Sequence, residues 1–150
     1  IANRDDDLDQ ETWDGEIEKA FNSWEEVCSI RFSRTDRIKS ANIVLDIGDG
    51  AESNFDGPGG TLAWAYLPTT HIYAGQLLMK FDAKETWISN PAERGCLLQN
   101  VAAHEIGHTL GLHHSEKGAA LMAPHYNPNI GVPQEDDDIP RIQSLYGTQK

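Results

Sequence analysis

A group of histidines in the second half of the chain has the spacing of a metal site. His104 and His108 are four residues apart, so on an α-helix both imidazoles project from one face. Two nitrogens placed in this way can meet one zinc ion at about 2.0–2.1 Å. Gly111 then ends the helix and turns the chain back, which lets His114 approach the same ion. Three protein ligands leave a position for water, as in catalytic zinc sites.

Glu105 follows the first of these histidines and is predicted to reach that water without binding the metal. A bound dication lowers the pKa of water toward about 7, and a neighbouring carboxylate can then remove the proton. These residue types indicate metal-assisted hydrolysis of an amide without a covalent intermediate. Glu105 would act as general base and then pass the proton to the leaving amine.

The length of the motif makes it specific. The segment His104–His108 alone occurs by accident in amphipathic helices, whereas Gly111 and His114 add two further fixed positions. The spacing selects His114, rather than the adjacent His113, as third ligand. The remaining histidines have no partner at ligand spacing and are predicted to be structural: His71 and His125.

Length and composition limit the other possibilities. A chain of 150 residues, 39% apolar and 24% charged, fits one globular domain over residues 1–150. The formal net charge of −12 repels phosphate backbones and no basic stripe offsets it, so nucleic acid is not an expected partner. No apolar run is long enough to enter and cross a membrane. The acidic residues near the start are expected to be solvated surface: Asp5, Asp6 and Asp7.

The two cysteines, Cys28 and Cys96, are far apart in sequence. A zinc motif would need paired close spacing, so they do not indicate one. They could form one disulfide in an oxidising compartment or remain two buried thiols, and the sequence leaves both alternatives open.

Hydrophobic periodicity predicts the elements that position these side chains. Apolar residues recur every three or four positions over residues 9–27, which predicts an amphipathic helix with Asp9 as its N-cap. Further helices are predicted from Cys96 to Leu110 and from Asp138 to Tyr146. The segment Gly48–Gly60 is predicted to be irregular because it is rich in Gly and Asp. The predicted strands are Ser29–Ser33, Ala41–Ile47, Thr61–Leu67 and Gln76–Phe81.

With these motifs the chain resembles the catalytic domain of a matrixin, the matrix-metalloproteinase branch of the metzincin zinc endopeptidases. The segment Ala120–Tyr126 resembles the family's Met-turn and the pocket wall that follows it. Astacins and serralysins usually carry a tyrosine two residues after that methionine, whereas Pro124 stands there in this chain. The closing segment Asp137–Gly147 matches the family's last helix, so the likeness covers nearly the whole chain.

The resemblance implies an α/β (α+β) fold with a twisted, mostly parallel sheet of about five strands over an active-site helix. A small C-terminal subdomain ending in a helix would complete it. Met122 would form an apolar floor under the zinc, and Thr61–Tyr66 would be the edge strand that pairs with an extended substrate. The implied substrate-binding residues are Leu62 and Ala63 near the metal, Pro124 and Tyr126 in the pocket after the scissile bond, and Asn100 at the pocket floor.

Calcium is implied by the same resemblance, because mixed backbone and carboxylate oxygens suit that ion. The alternative is a surface turn with ordinary acidic residues. A further calcium site of the family looks degraded, since its expected acid falls at Leu78. The implied calcium ligands are Asp56, Gly57, Gly59, Thr61, Asp82 and Glu85.

The family's second, structural zinc is not expected. Matrixins usually hold it with three histidines and an aspartate, and the matching positions here are Asp49, Ala51, Trp64 and Lys80. An ammonium group cannot ligate zinc, so one zinc per chain is predicted. The Lys80 charge, paired with Asp49, and the Trp64 bulk are expected to replace the lost ion.

The resemblance further implies a secreted, monomeric enzyme that cleaves proteins or peptides. Ile1 matches a position near the end of the family's first strand and no inhibitory cysteine segment comes before it, so a mature or trimmed form is expected. The alternative in another class is a peptide- or metal-binding module that keeps zinc without turnover. Glu105 argues against this alternative, because decayed enzymes commonly lose the general base first. Another metzincin branch is the second alternative, which the residues around Met122 distinguish.

Overall fold

The computed structural model describes residues 7–48, 55, 60–68 and 76–149. Several residues considered in the sequence analysis lie outside the described residues: Asp5, Asp6, Asp49, Ala51, Asp56, Gly57, Gly59 and His71.

Helices lie close to where periodicity predicts them. The first begins as expected, since the Asp9 carboxylate accepts a hydrogen bond from the Thr12 backbone N–H at 2.7 Å and caps the helix. None of the described helices is both long and apolar enough to cross a membrane. The α-helices in this part of the chain are α1 (Gln10–Glu25), α2 (Leu98–Thr109) and α3 (Asp138–Tyr146).

Five short strands form two sheets within the described ranges. The larger sheet has the order β1-β3-β2, with β1 parallel and β2 antiparallel to the central strand. The smaller sheet is a parallel pair of two-residue strands, β4 and β5. The strands are β1 (Ile43–Gly48), β2 (Ala63–Ala65), β3 (Leu77–Asp82), β4 (Trp87–Ile88) and β5 (Cys96–Leu97).

This arrangement confirms the α+β class and corrects two details of the expected sheet. The described strands form a mixed three-stranded sheet and a separate pair, rather than one mostly parallel sheet. The predicted strand Ser29–Ser33 joins neither sheet, because other groups bond its backbone. The Ser29 N–H donates to the Gly147 carbonyl at 3.3 Å, and the Phe32 N–H donates to a Glu25 carboxylate oxygen at 2.6 Å.

The core lies between the larger sheet and the two long helices. Trp13 of α1 packs edge-to-face against Phe81 and Trp87, with ring centroids 5.8 and 6.3 Å away. Trp24, further along α1, is fully buried and donates its indole N–H to the Ala103 carbonyl of α2 at 2.9 Å. The first helix therefore fixes the position of α2, one residue before His104.

Both cysteines are free thiols in the structure, which agrees with the alternative of two unpaired cysteines and not with a disulfide. Cys28 is buried and its S–H donates to the Trp24 carbonyl at 3.2 Å. Cys96 is half-buried, and burial together with the nearby Glu85 charge raises the pKa of its thiol to about 11.

Gly107 is the point of closest approach between α2 and the residues packed on it. A Cβ atom at this position would collide with the Met122 sulfur and would lie 2.9 Å from a ring carbon of Trp24. Both neighbours are fully buried, so neither side chain can move into solvent.

We predict that Gly107→Ala lowers the free energy of unfolding by about 1–3 kcal/mol, because it overpacks this contact. Urea unfolding of the metal-free protein measures the change. Gly15→Ala in α1 is the matched control, since nothing lies within 4 Å of its added methyl group. The control is expected to gain about 0.5–1 kcal/mol from the better helix former. Equal gains in both variants would contradict the close packing at Gly107.

Candidate metal centre

The end of α2 turns the chain so that a third histidine comes back to the helix. Gly111 has a φ of +109°, a conformation that favours glycine. Its N–H donates to the His108 carbonyl at 3.0 Å, and the Leu112 N–H donates to the Gly107 carbonyl at 2.9 Å. These two bonds are those of a Schellman motif, which satisfies the last carbonyls of the helix.

The three predicted ligands come together. His104, His108 and His114 each offer a ligand nitrogen, and these nitrogens all lie within 4.8 Å of one another. The two helical imidazoles are half-buried, whereas His114 is exposed on the open side. Among the residues in the described ranges, this is the one group of at least three acidic, histidine or cysteine side chains arranged to hold a metal ion. His113 and His125 are exposed and lie outside it.

Backbone carbonyls fix the orientation of both helical imidazoles. The Nδ1 atom of His104 lies 2.7 Å from the Leu121 carbonyl oxygen, and that of His108 lies 2.7 Å from the Leu112 carbonyl oxygen. A carbonyl oxygen can only accept, so each Nδ1 carries the hydrogen. Each Nε2 then presents a lone pair to the centre of the cluster. Hydrogen bonds to the other ring nitrogen orient metal-binding histidines in the same way.

The distance between these two nitrogens fits a bound zinc ion. The two Nε2 atoms of His104 and His108 lie 3.2 Å apart. Two lone pairs facing each other at this distance repel unless a cation lies between them. A tetrahedral zinc ion with bonds of about 2.0–2.1 Å holds its ligand nitrogens about 3.3 Å apart. The spacing of these two nitrogens is therefore that of two ligands of one zinc ion.

Electrostatics keep the imidazoles in the form that binds metal. Burial lowers the pKa of His104, and burial with the nearby His104 lowers the pKa of His108 to about 4. Both rings are therefore neutral near pH 7, and a neutral imidazole is the form that ligates a metal.

Glu105 is a buried carboxyl group with an unsatisfied oxygen. Its exposed fraction is 6%, and its Oε2 atom has no hydrogen-bond partner among the described residues. Burial raises the pKa of this carboxyl group to about 8. A dication held by the neighbouring imidazoles would favour the charged carboxylate instead. A buried carboxyl group with a shifted pKa next to a cluster of metal-binding side chains is typical of a residue that transfers protons in catalysis.

The residues expected to bind substrate all lie in the described part of the chain. Leu62 is half-buried and Ala63 is buried, and β2 lies at the edge of the larger sheet as expected. Pro124 is exposed, and the partly exposed Tyr126 accepts a hydrogen bond at its hydroxyl from the Leu97 N–H at 3.0 Å. Met122 is fully buried against α2.

Asn100 ties the first turn of α2 to the loop after Tyr126. Its side-chain amide donates to the carbonyls of Asn127 at 3.3 Å and Pro128 at 3.1 Å. The side chain is buried at this position, so its polar group is directed into the loop. The loop and the helix are therefore held together by a side chain that was expected at the pocket floor.

The expected calcium ligands are only partly described. Asp82 is fully buried; its Oδ1 accepts from the Lys84 N–H at 2.9 Å, while its Oδ2 has no hydrogen-bond partner in the described ranges. Glu85 is also buried. Thr61 is exposed and precedes Leu62, whose carbonyl accepts from the Asp82 N–H at 2.9 Å.

The residues at the expected second-zinc positions form a different arrangement. The Lys80 ammonium lies 3.8 Å from a carboxylate oxygen of Asp46, its neighbour in the parallel register. The expected partner, Asp49, lies outside the described residues. Trp64 pairs with Lys80 across the antiparallel strands and packs against Tyr66 with ring centroids 5.4 Å apart.

Sequence reasoning missed one residue next to the site. Asp138 is fully buried and accepts three backbone N–H bonds, from Leu121 at 2.6 Å, Met122 at 3.1 Å and Gln134 at 2.9 Å. An acid at the start of a helix is usually explained by the helix dipole, so the sequence carried no signal for this role.

We predict that His114→Ala weakens zinc binding by more than about 100-fold, because loss of a group that only orients a ligand already costs about 10–100-fold. Competition with a chelator measures the affinity. The adjacent His113→Ala is the control and is expected to keep the wild-type affinity, since this ring lies outside the cluster. Equal losses in the two variants would contradict the assignment of the third ligand.

Comparison with known proteins identifies the family to which the chain belongs. A profile of the matrixin peptidase family matches residues 1–147. The chain is 40% identical to stromelysin-1 of Mus musculus over 99% of its length, and 41% identical to an interstitial collagenase of Equus caballus over 98%. It is 41% identical to a hatching enzyme of Paracentrotus lividus over 95%. The chain spans 31%, 31% and 24% of the length of these relatives, respectively. The chain therefore belongs to the matrixin family.

Proposed function

We propose that this chain is the catalytic domain of a zinc-dependent endopeptidase that hydrolyses peptide bonds of extended protein substrates. The observation that carries the proposal is the 3.2 Å distance between the Nε2 atoms of His104 and His108. His114 offers the third nitrogen of the same cluster. Membership of a peptidase family supports the reaction class. The relatives include an interstitial collagenase and a hatching enzyme, which supports proteins outside the cell as substrates.

The residues that would hold the zinc are His104, His108 and His114, with one ion per chain. When bound, zinc supplies Lewis acidity toward water and toward the carbonyl of the scissile bond. The protein supplies neutral imidazoles whose Nδ1–H groups are already bonded to carbonyls, so the ligands need little reorganisation on binding.

Glu105 would move the protons of the reaction. Its carboxylate takes a proton from the attacking water while the water oxygen bonds to the carbonyl carbon. The carbon–nitrogen bond then breaks, and the same carboxyl group gives the proton to the leaving amine. The buried, unsatisfied Oε2 atom supports this role, because it leaves a proton-accepting position without a competing partner among the described residues.

The outer edge of β2, the last strand of the described sheet, would bind the substrate backbone. The backbone groups of Leu62 and Tyr66 bond to β3, so in this antiparallel pair those of Ala63 and Ala65 are directed to the other side. An extended peptide can add to such an edge as a further strand.

The side chain after the scissile bond would lie between α2 and the loop beyond Met122. Pro124 and Tyr126 would form one wall of this pocket, with Leu62 nearer the metal. Asn100 would lie at the floor, where its bonds to the loop carbonyls fix the loop against the helix. We also propose a monomeric domain over residues 1–150 that is secreted, and the kinds of relatives that it matches support the secretion.

A structural calcium ion is proposed next to β3. Asp82 and Glu85 bring two buried carboxylates into one turn, and the unsatisfied Asp82 Oδ2 atom is accounted for by a cation. The hydrogen bond from Asp82 to Leu62 brings Thr61 close to this turn. The remaining ligands would be Asp56, Gly57 and Gly59.

We predict that Glu105→Gln lowers kcat by about 100- to 10,000-fold, the usual contribution of a general base, while zinc content stays at the wild-type value. Cleavage of an unfolded protein and metal analysis on the same samples measure both. Glu116→Gln is the control, because this exposed carboxylate follows the third ligand on the next loop. Wild-type turnover in Glu105→Gln would refute the assignment of the base.

We also predict that calcium raises the midpoint of thermal unfolding. At about 100 times the dissociation constant, calcium should stabilise the fold by about 2.7 kcal/mol, which corresponds to about 5–10 °C. Asp82→Asn should abolish this shift, whereas the exposed control Asp136→Asn should keep it. A wild-type midpoint that does not respond to calcium would contradict the proposed site.

A further inference from the structure

We propose that Asp138 is a positioning residue that acts on the metal ligand His104 through the peptide group between Leu121 and Met122. This inference rests on the proposed function, because it concerns the same zinc site. Asp138 belongs to α3, whereas His104 belongs to α2, so the contact joins the closing helix to the catalytic one.

The connection runs through a single peptide group. The Met122 N–H donates to Asp138 Oδ1 at 3.1 Å, and the carbonyl of the same peptide group, that of Leu121, accepts from His104 Nδ1–H at 2.7 Å. A carboxylate bonded to a peptide N–H makes the peptide carbonyl a stronger acceptor, since hydrogen bonds in a chain polarise one another. The carboxylate charge is thereby transmitted to the imidazole that ligates the metal.

The carboxylate is held rigidly enough to set a geometry. Asp138 is fully buried, and its Oδ2 atom accepts from the Leu121 N–H at 2.6 Å and from the Gln134 N–H at 2.9 Å. Three donors from two chain segments fix both oxygens, so the Leu121 carbonyl has one position relative to α2. Partners of this kind, behind a metal-bound histidine, typically change metal affinity by about 10- to 100-fold.

The second helical ligand provides an internal comparison. His108 Nδ1–H donates to the Leu112 carbonyl at 2.7 Å. The preceding peptide group, through the Leu112 N–H, is bonded to the Gly107 carbonyl within the turn that ends α2. That orientation comes from the helix end itself. The two histidines have matched bond lengths but different supports, and only the support of His104 includes a buried carboxylate from α3.

Asp138→Asn tests the proposal, because the amide keeps the shape but turns one acceptor oxygen into a donor that faces backbone N–H groups. We expect zinc affinity, measured by chelator competition, to fall about 10- to 100-fold. In the metal-free protein labelled with ¹⁵N-histidine, the His104 Nδ1–H resonance should shift or exchange faster with solvent, and that of His108 should not. Asp136→Asn is the control, since this side chain is exposed and lies two residues before Asp138.

Wild-type zinc affinity together with an unchanged His104 resonance in folded Asp138→Asn would overturn the proposal. Equal changes at both histidines would also overturn it, because they indicate a general loss of structure. If Asp138→Asn does not fold, the same two measurements on Asp138→Glu decide: a shift confined to His104 supports the proposal, and its absence overturns it. A wild-type protein that binds zinc but cleaves nothing would instead refute the proposed function, while the resonance comparison would still stand.

Discussion

The site depends on two carbonyl groups that force two imidazole lone pairs toward each other. Because Leu112 and Leu121 each accept a hydrogen bond from an Nδ1–H, neither His104 nor His108 can relieve the repulsion by rotating its ring without losing that bond. A metal ion held between the two nitrogens would relieve it directly. The free energy of binding would then include a repulsion that is already present in the folded protein.

Folding can hold this arrangement because α2 is fixed on two sides. Trp24 bonds to the Ala103 carbonyl from α1, and Met122 packs against Gly107 from the opposite loop. The Tyr146 hydroxyl donates to the Leu110 carbonyl at 2.6 Å, which ties the end of α3 to the end of α2. These contacts come from sequence positions far apart, so the rigidity of the site is a property of the whole domain.

The features that could be predicted from sequence are those that a long motif or neighbouring residues in the chain determine. The bounds of α3 agree with the prediction, the Asp9 cap is confirmed, and the spacing of the histidines was sufficient to predict their convergence. Two-residue strands such as β4 and β5 show no alternation that could be detected. The partners of the imidazole Nδ1 atoms are backbone carbonyls, which cannot be recognised in a pattern of side chains. The segment Ser29–Ser33 alternates as a strand would, but its backbone bonds to Gly147 and Glu25 instead of to a neighbouring strand.

The position of α3 in chain order has a consequence for biosynthesis. Asp138 lies beyond all three histidines in the sequence, yet it buries its carboxylate against the loop that orients the first of them. A nascent chain in which only the histidine motif has been synthesised therefore lacks the Asp138 contact behind His104. Because residues leave the ribosome in chain order, the hydrogen bond from the Met122 N–H to Asp138 can form only after α3 has been synthesised.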